Sequence, residues 1–219
     1  MSKELLAAIE RHDVSRVKAL LAGGADPNEP QAQWPGLRPL HVAINELADR
    51  GGLDVLMALL EHGADVNAWN VERDVTPLLV AVFEGQQAAV EALLKAGADA
   101  NVRSSEGDTP LRACAGVGDL GIASLLLGAG AARTINDWGG QAGYTALGLA
   151  ASRLDIPMMR LLLGAGADLE APDEDDRPAR ERLPPRDESN SQRWDTASEL
   201  LGGAKIRNPE TSPHFWKPQ

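Results

Sequence analysis

Apolar positions in this chain fall into leucine clusters, each closed by a small glycine turn, and the cluster returns along the sequence. Five versions occur: VKALLAGGADPN, LMALLEHGADVN, VEALLKAGADAN, ASLLLGAGAART and MRLLLGAGADLE. Val90, Leu93 and Leu94 lie at helical spacing, which predicts a helix with one face to bury. The turn glycines Gly24, Gly63, Gly97, Gly130 and Gly166 stand 39, 34, 33 and 36 residues apart. A glycine there accepts the left-handed conformation that closes a helix. A second apolar series reads RPLHVAI from Arg38, TPLLVAV from Thr76, TPLRACA from Thr109 and TALGLAA from Thr145, spaced 38, 33 and 36 residues. Threonine before proline predicts a helix start, because the hydroxyl caps a free N–H and proline lacks one at the first helical position. The alanine-rich stretch behind it keeps that helix slim enough for a neighbouring unit to approach. The segments between each glycine turn and the next helix start are polar and turn-rich. The chain is therefore read as a repeat of two short helices and a loop.

A period near 33 residues with T-P-L-H-x-A and G-A-D-V-N resembles the ankyrin repeat, over about residues 2 to 203. The resemblance implies an all-α solenoid of antiparallel helix pairs with projecting hairpin-like loops, the first helix of each pair lining a concave side. One repeat domain is expected over 1–205. It divides into an N-terminal cap repeat (1–34), four internal repeats (35–170) and a degenerate C-terminal cap (171–205), with a tail over 206–219. The tail is expected to lie along the solenoid through Phe215 and Trp216, and Trp194 is expected in the core of the last helix beside the buried pair Leu200 and Leu201. His41 occupies the family position that hydrogen-bonds between loops and helices. Leu79, Arg112 and Gly148 stand there in later repeats, which predicts an incomplete network and looser units.

Departures from the repeat point toward function. The segment AINELADRGGLDV is about four residues longer than its counterparts, and the loops entering the repeats at Arg38, Thr76 and Thr145 are lengthened by roughly two, one and three residues; insertions in a solenoid fall on a particular face, often the binding one. The three lengthened loops hold Trp34, Trp69 and Trp138, whereas the standard loop NVRSSEGD holds none. Tryptophan is a frequent binding hot spot, although in such a row it can equally pack against the next loop. By the resemblance, Asn45, Glu46, Phe83, Glu84, Gly116, Val117, Ser152 and Arg153 face the concave groove. Phe83 beside Glu84 is a candidate anchor or, alternatively, a core residue. Glu72, Arg103, Asp74, Glu106 and Asp108 belong to the loops, where the acidic ones can steer a partner or stand idle in solvent.

Composition narrows the chemistry. Of 219 residues, aromatics make up only 4%, and the formal net charge is −11. That charge argues against nucleic acid, whose phosphates call for clustered Lys and Arg, and it suits a partner with a basic surface. The opening MSKELLAAIERHD carries charges throughout, which predicts neither a signal peptide nor a targeting helix, and no apolar run approaches the ~18 residues of a membrane span. A cytoplasmic protein, monomeric on its own, is expected. The residue usage, rich in Ala, Gly, Pro and Arg, resembles that of GC-rich bacterial genomes. One cysteine, Cys114, excludes an internal disulfide and should be buried, and the four histidines show no metal-binding spacing. The run DEDD, Asp173 to Asp176, lacks the spaced oxygens of a calcium loop and reads as a solvated acidic turn. No catalytic constellation, cofactor or metal is expected. The functional expectation is a non-catalytic module that holds another protein, foremost as an inhibitor or immunity protein neutralising a bacterial toxin. An adaptor or secreted effector, or an accessory subunit of an enzyme, are the alternatives.

Overall fold

A computed structural model of the chain describes residues 2–30, 36–47, 52–70 and 74–202. Helices come in pairs: α1 (Ser2–Glu10) with α2 (Val14–Ala22), α3 (Pro39–Leu47) with α4 (Leu53–Glu61), α5 (Pro77–Phe83) with α6 (Gln87–Lys95), α7 (Pro110–Val117) with α8 (Leu120–Gly128), and α9 (Ala146–Ser152) with α10 (Ile156–Gly164). A last helix, α11 (Ser191–Leu200), packs on α10. First helices stack on one another in the order α1, α3, α5, α7, α9, and second helices in the order α2, α4, α6, α8, α10. The place of the next first helix, on α9, is taken by a 3-10 turn over Ala179–Arg182.

The repeat pattern explains these elements. Thr76, Thr109 and Thr145 each cap a first helix, accepting from the amides of Leu79, Arg112 and Gly148 at 3.4, 3.2 and 3.0 Å. All five turn glycines have positive φ, between 84° and 94°, where a Cβ would be strained. The second-helix leucines at equivalent positions, Leu59, Leu93, Leu126 and Leu162, are fully buried, each stabilising the stack by about 1.5–3 kcal/mol. Buried alanines such as Ala81, Ala115 and Ala150 leave the first helices slim. Truncating Leu93 to alanine would open a cavity between units and cost about 2–5 kcal/mol.

Two polar ladders cross the repeat boundaries. In the first, the asparagine of G-A-D-x-N reaches the following glycine turn. Asn28 Nδ2 donates to Gly63 O at 3.0 Å and its Oδ1 accepts from Asp65 N at 2.7 Å. Asn67 repeats this with Gly97 O and Asp99 N at 3.2 and 2.8 Å. Asn101 keeps the bond to Gly130 O at 3.1 Å, but its Oδ1 is buried without a partner. The cause is local: Ala132 stands where the aspartate should be, and Ala131–Thr134 folds into a 3-10 turn. Asn136 Oδ1 resumes the ladder by accepting from Asp168 N at 2.9 Å.

In the second ladder, His41 Nε2 lies 3.4 Å from Val75 O, the carbonyl just before the next helix cap. Arg112 does the same from its different side chain, its Nε donating to Tyr144 O at 2.9 Å while its guanidinium pairs with Asp108. The expectation of an incomplete network is corrected at this position: what matters is reach to the next repeat's carbonyl, and arginine has it. Gly148 leaves room instead. The Arg182 side chain, from the cap, passes 3.8 Å from where a Cβ on Gly148 would sit. It stacks 4.2 Å from the Tyr144 ring centroid and pairs with Asp173 at 2.5 Å and Asp175 at 2.7 Å. The reading of DEDD as a solvated turn is therefore corrected for Asp173, which is 5% exposed. Burial opposes its charged form, but hydrogen bonds from Arg182 and from the amides of Arg177 and Asp175 outweigh this and hold its pKa below the usual value.

Candidate functional site: the first-helix ends and the finger loops

Among the described residues, α1, α5, α7 and α9 each end at a turn into the second helix, and these helix ends line up because the helices stack. Asn45 and Glu46 at the end of α3 are half-buried, and Glu46 faces His12 at 3.8 Å. At the end of α5, Phe83 is 48% exposed and Glu84 is exposed. Phe83 is therefore a surface residue. Val117, ending α7, is 57% exposed, and Leu120, opening α8, is 37% exposed. Gly116 and Ser152 are half-buried. Arg153, ending the row, is exposed, with Nη2 3.4 Å from Val117 O.

Phe83 forms a ridge between two shallow depressions. One, toward the loops, is lined by Asp74, Leu79, Ser105, Glu106 and Asp108; the other, along the helix turns, by Glu84, Val117, Asp119 and Leu120. Several of these carboxylates are engaged within the fold. Asp74 accepts both the amide and the hydroxyl of Ser105 at 2.5 and 2.7 Å, Asp108 pairs with Arg112, and Asp119 caps α8 through Ile122 N at 2.9 Å. Glu84 and Glu106 are exposed, and no polar or ionic partner engages either side chain among the described residues. The sequence reading missed Leu120. A signal was present: it lies off the face formed by the buried Ile122, Ala123 and Leu126.

The finger loops are tied to one another. Trp138–Gly139 (β1) pairs antiparallel with Tyr144–Thr145 (β2), and Asn70 bridges Val75 in the equivalent place two fingers earlier. Trp69 and Trp138 both sit two residues after a ladder asparagine, and Arg103 occupies that same position in the finger between them. Arg103 lies 6.0 Å from the Trp138 ring centroid, donates to Trp138 O at 3.2 Å and approaches Asp137 at 3.5 Å. Gly140 N donates to Glu106 O at 2.6 Å. Trp138 thus touches its neighbouring finger and still leaves 40% of its surface to solvent, whereas Trp69 is half-buried. Trp34, Glu72 and the tail lie outside the described residues. Trp194 packs half-buried against the core and donates from Nε1 to Pro184 O at 2.8 Å.

This surface offers shape and charge rather than reactive groups. Cys114 is fully buried, and burial with the nearby Asp119 carboxylate pushes its pKa up to about 12, leaving the thiol a poor nucleophile at neutral pH. Burial lowers the His41 pKa to about 4, so the imidazole is neutral and Nε2 carries the proton donated to Val75. Among the described residues no group of three or more His, Cys, Asp or Glu side chains is arranged to hold a metal ion, and no helix is long and apolar enough to cross a membrane.

Comparison with known proteins agrees with this architecture. A family model described as ankyrin repeats in three copies matches residues 5–104, and a single ankyrin-repeat model matches 142–174. The chain is 31% identical over 172 residues to the nuclear factor NF-kappa-B p105 subunit of Gallus gallus, covering 76% of this chain and 16% of that protein. It is 32% identical over 126 residues to the B-cell lymphoma 3 protein homolog of Mus musculus, covering 57% and 27%. The chain therefore spans about a quarter or less of the length of these curated relatives. Among solved structures it resembles the ankyrin repeat domain of Bcl-3, a member of the IkappaB protein family, with TM-score 0.75 and 27% identity over 91% of this chain and 81% of that one. It also resembles EF0377, an ankyrin repeat protein, with TM-score 0.74 and 26% identity over 90% and 96%. Stacked helix pairs, inter-repeat ladders and two family matches lead to one conclusion: the chain belongs to the ankyrin-repeat family.

Proposed function

We propose that this interaction module captures one partner protein on the ridge formed by Phe83, Val117 and Leu120 and on the adjoining finger around Trp138, and that it acts by covering the partner's surface. The observation that carries this reading is the placement of exposed apolar side chains. Five large apolar residues are exposed among the described ones, and four of them, Phe83, Val117, Leu120 and Trp138, fall on the first-helix ends, the start of α8 and a finger. Contiguous exposed apolar surface rimmed by polar groups is a mark of interaction sites. The bonds between fingers hold this surface in place before binding, so little ordering entropy is lost on association. A rigid, acidic covering surface suits an inhibitor of the immunity-protein kind better than an enzyme.

The test uses the full chain as bait in extract from its native organism, beside a Phe83→Ala/Val117→Ser variant matched for melting temperature. A partner retained by the first and released by the second supports capture at the ridge. Equal retention by both contradicts it. Stoichiometric loss of the purified partner's activity on mixing supports the inhibitor role, and unchanged activity assigns the chain to recruitment instead.

A further inference from the structure

We infer that the Phe83 ridge recognises a partner segment in which an arginine or lysine stands next to, or one residue removed from, a bulky apolar side chain. This rests on the capture reading above and adds the chemistry of what is captured. The apolar half of the argument is geometric. The depression along the helix turns has Phe83 on one wall and Val117 with Leu120 on the other, so an inserted aliphatic or aromatic side chain meets apolar surface on both sides.

The cationic half comes from which acids are free. Asp108 is paired with Arg112, whereas Asp74 and Asp119 keep their charge and each turn one oxygen inward, to Ser105 and to Ile122 N. Glu84, beside the Val117 depression, and Glu106, across the ridge, remain uncompensated. Arg153, hydrogen-bonded to Val117 O, closes the far end of the row with the opposite sign. Two unpaired carboxylates therefore flank Phe83, one beside each depression. A guanidinium or ammonium placed there meets a carboxylate on either side and the open face of an aromatic ring, the environment that draws an arginine in particular. In an extended segment, adjacent side chains alternate in direction and next-nearest ones share a face. A cation beside an apolar residue can therefore straddle the ridge while the apolar residue enters the depression.

The experiment is a random-peptide display selection against the full chain, followed by titration of the strongest synthetic peptide into the protein and its variants. The expected winners carry Arg or Lys beside Leu, Ile, Phe or Trp. Phe83→Ala weakens the peptide by tenfold or more, on the order of a hot-spot loss. Glu84→Gln with Glu106→Gln weakens it by about threefold to tenfold and flattens its salt dependence, as loss of exposed ion pairs should. Acidic or purely apolar winners overturn the inference, as does an empty selection or a peptide indifferent to Phe83→Ala. A winner whose amide-shift footprint avoids residues 83–85 and 117–120 overturns it too, while leaving capture by another part of the surface standing. The capture reading fails separately, through the ridge variant that still holds the native partner.

Discussion

The junction between the first two internal repeats and the junction between the last two accomplish one task with different chemistry. At the first, neutral His41 reaches Val75 O and Asn67 further along makes both of its ladder bonds. At the second, Arg112 reaches Tyr144 O, but it brings a charge that must be matched by Asp108, while Asn136 accepts from Asp168 N; the half-lost bonding of Asn101 lies one junction earlier. The difference teaches that a repeat boundary is held by a geometric demand, a donor delivered to the next carbonyl, and that several residue types satisfy it. It also links scaffold and site. Asp108 lines the depression beside Phe83, so the arginine that holds the junction also neutralises one of the acids there, leaving Glu106 and Glu84 as carboxylates with no polar partner.

The largest expected effect separates the two junctions directly. Arg112→Ala removes the bond to Tyr144 and strands Asp108, and should lower stability by about 2–4 kcal/mol. His41→Ala, losing one long neutral bond and some packing, should cost about 1–2 kcal/mol. Urea midpoints of the two variants measure this, and equal losses would remove the distinction. Arg112→Lys should recover only part of the loss, because a point charge cannot serve Asp108 and Tyr144 O together.

The pH dependence of stability comes next. His41 is held near 4 in the folded chain, below its unfolded value of about 6.5, so acid favours the unfolded state as pH falls from about 6.5 to about 4. The loss is up to about 3 kcal/mol across that window and vanishes above it. In His41→Leu this component of the slope should disappear. An unchanged slope between the two proteins would show that His41 is not the titrating group. Arg112→Ala should keep the slope, since the two junctions are separate.

The smallest effect compares the ladders. Asn67→Ala gives up two inter-repeat bonds, and Asn101→Ala gives up one while relieving a buried unpaired oxygen. The first should cost about 1–2 kcal/mol and the second about half as much or less. Replacing Ala132 with aspartate is the converse. If the local 3-10 turn reverts to the standard turn, Asn101 gains its missing partner and stability rises.

Much of the fold was legible in the residues because it depends on local rules. Glycines at the helix ends, threonine before proline and leucines at helical spacing each report a backbone need within a few positions. What could not be read required side chains from different units to meet. Arg112 looked like the loss of His41's role because nothing local reveals that its Nε reaches Tyr144. Asp173 looked solvated because Arg182, which buries it, follows from a cap that had lost its first helix. The candidate site was half legible. Phe83 and Val117 follow from their register at the first-helix ends, but Phe83 could equally have been core until its exposure was seen. The tryptophan row was noticed from loop length, while the place of Arg103 at the same register as Trp69 and Trp138 becomes meaningful only once its contact with Trp138 is known.

The central claim is that the first-helix ends, and not the second-helix surface, meet the partner. Site-specific photo-cross-linking tests it directly, with a photoreactive phenylalanine analogue replacing Phe83 or Val117 in one pair of proteins and the exposed Glu61 or Lys95 of α4 and α6 in another. One adduct of constant mass from the first pair and none from the second is the predicted result. Adducts from Glu61 or Lys95 with none from Phe83 and Val117 would contradict it.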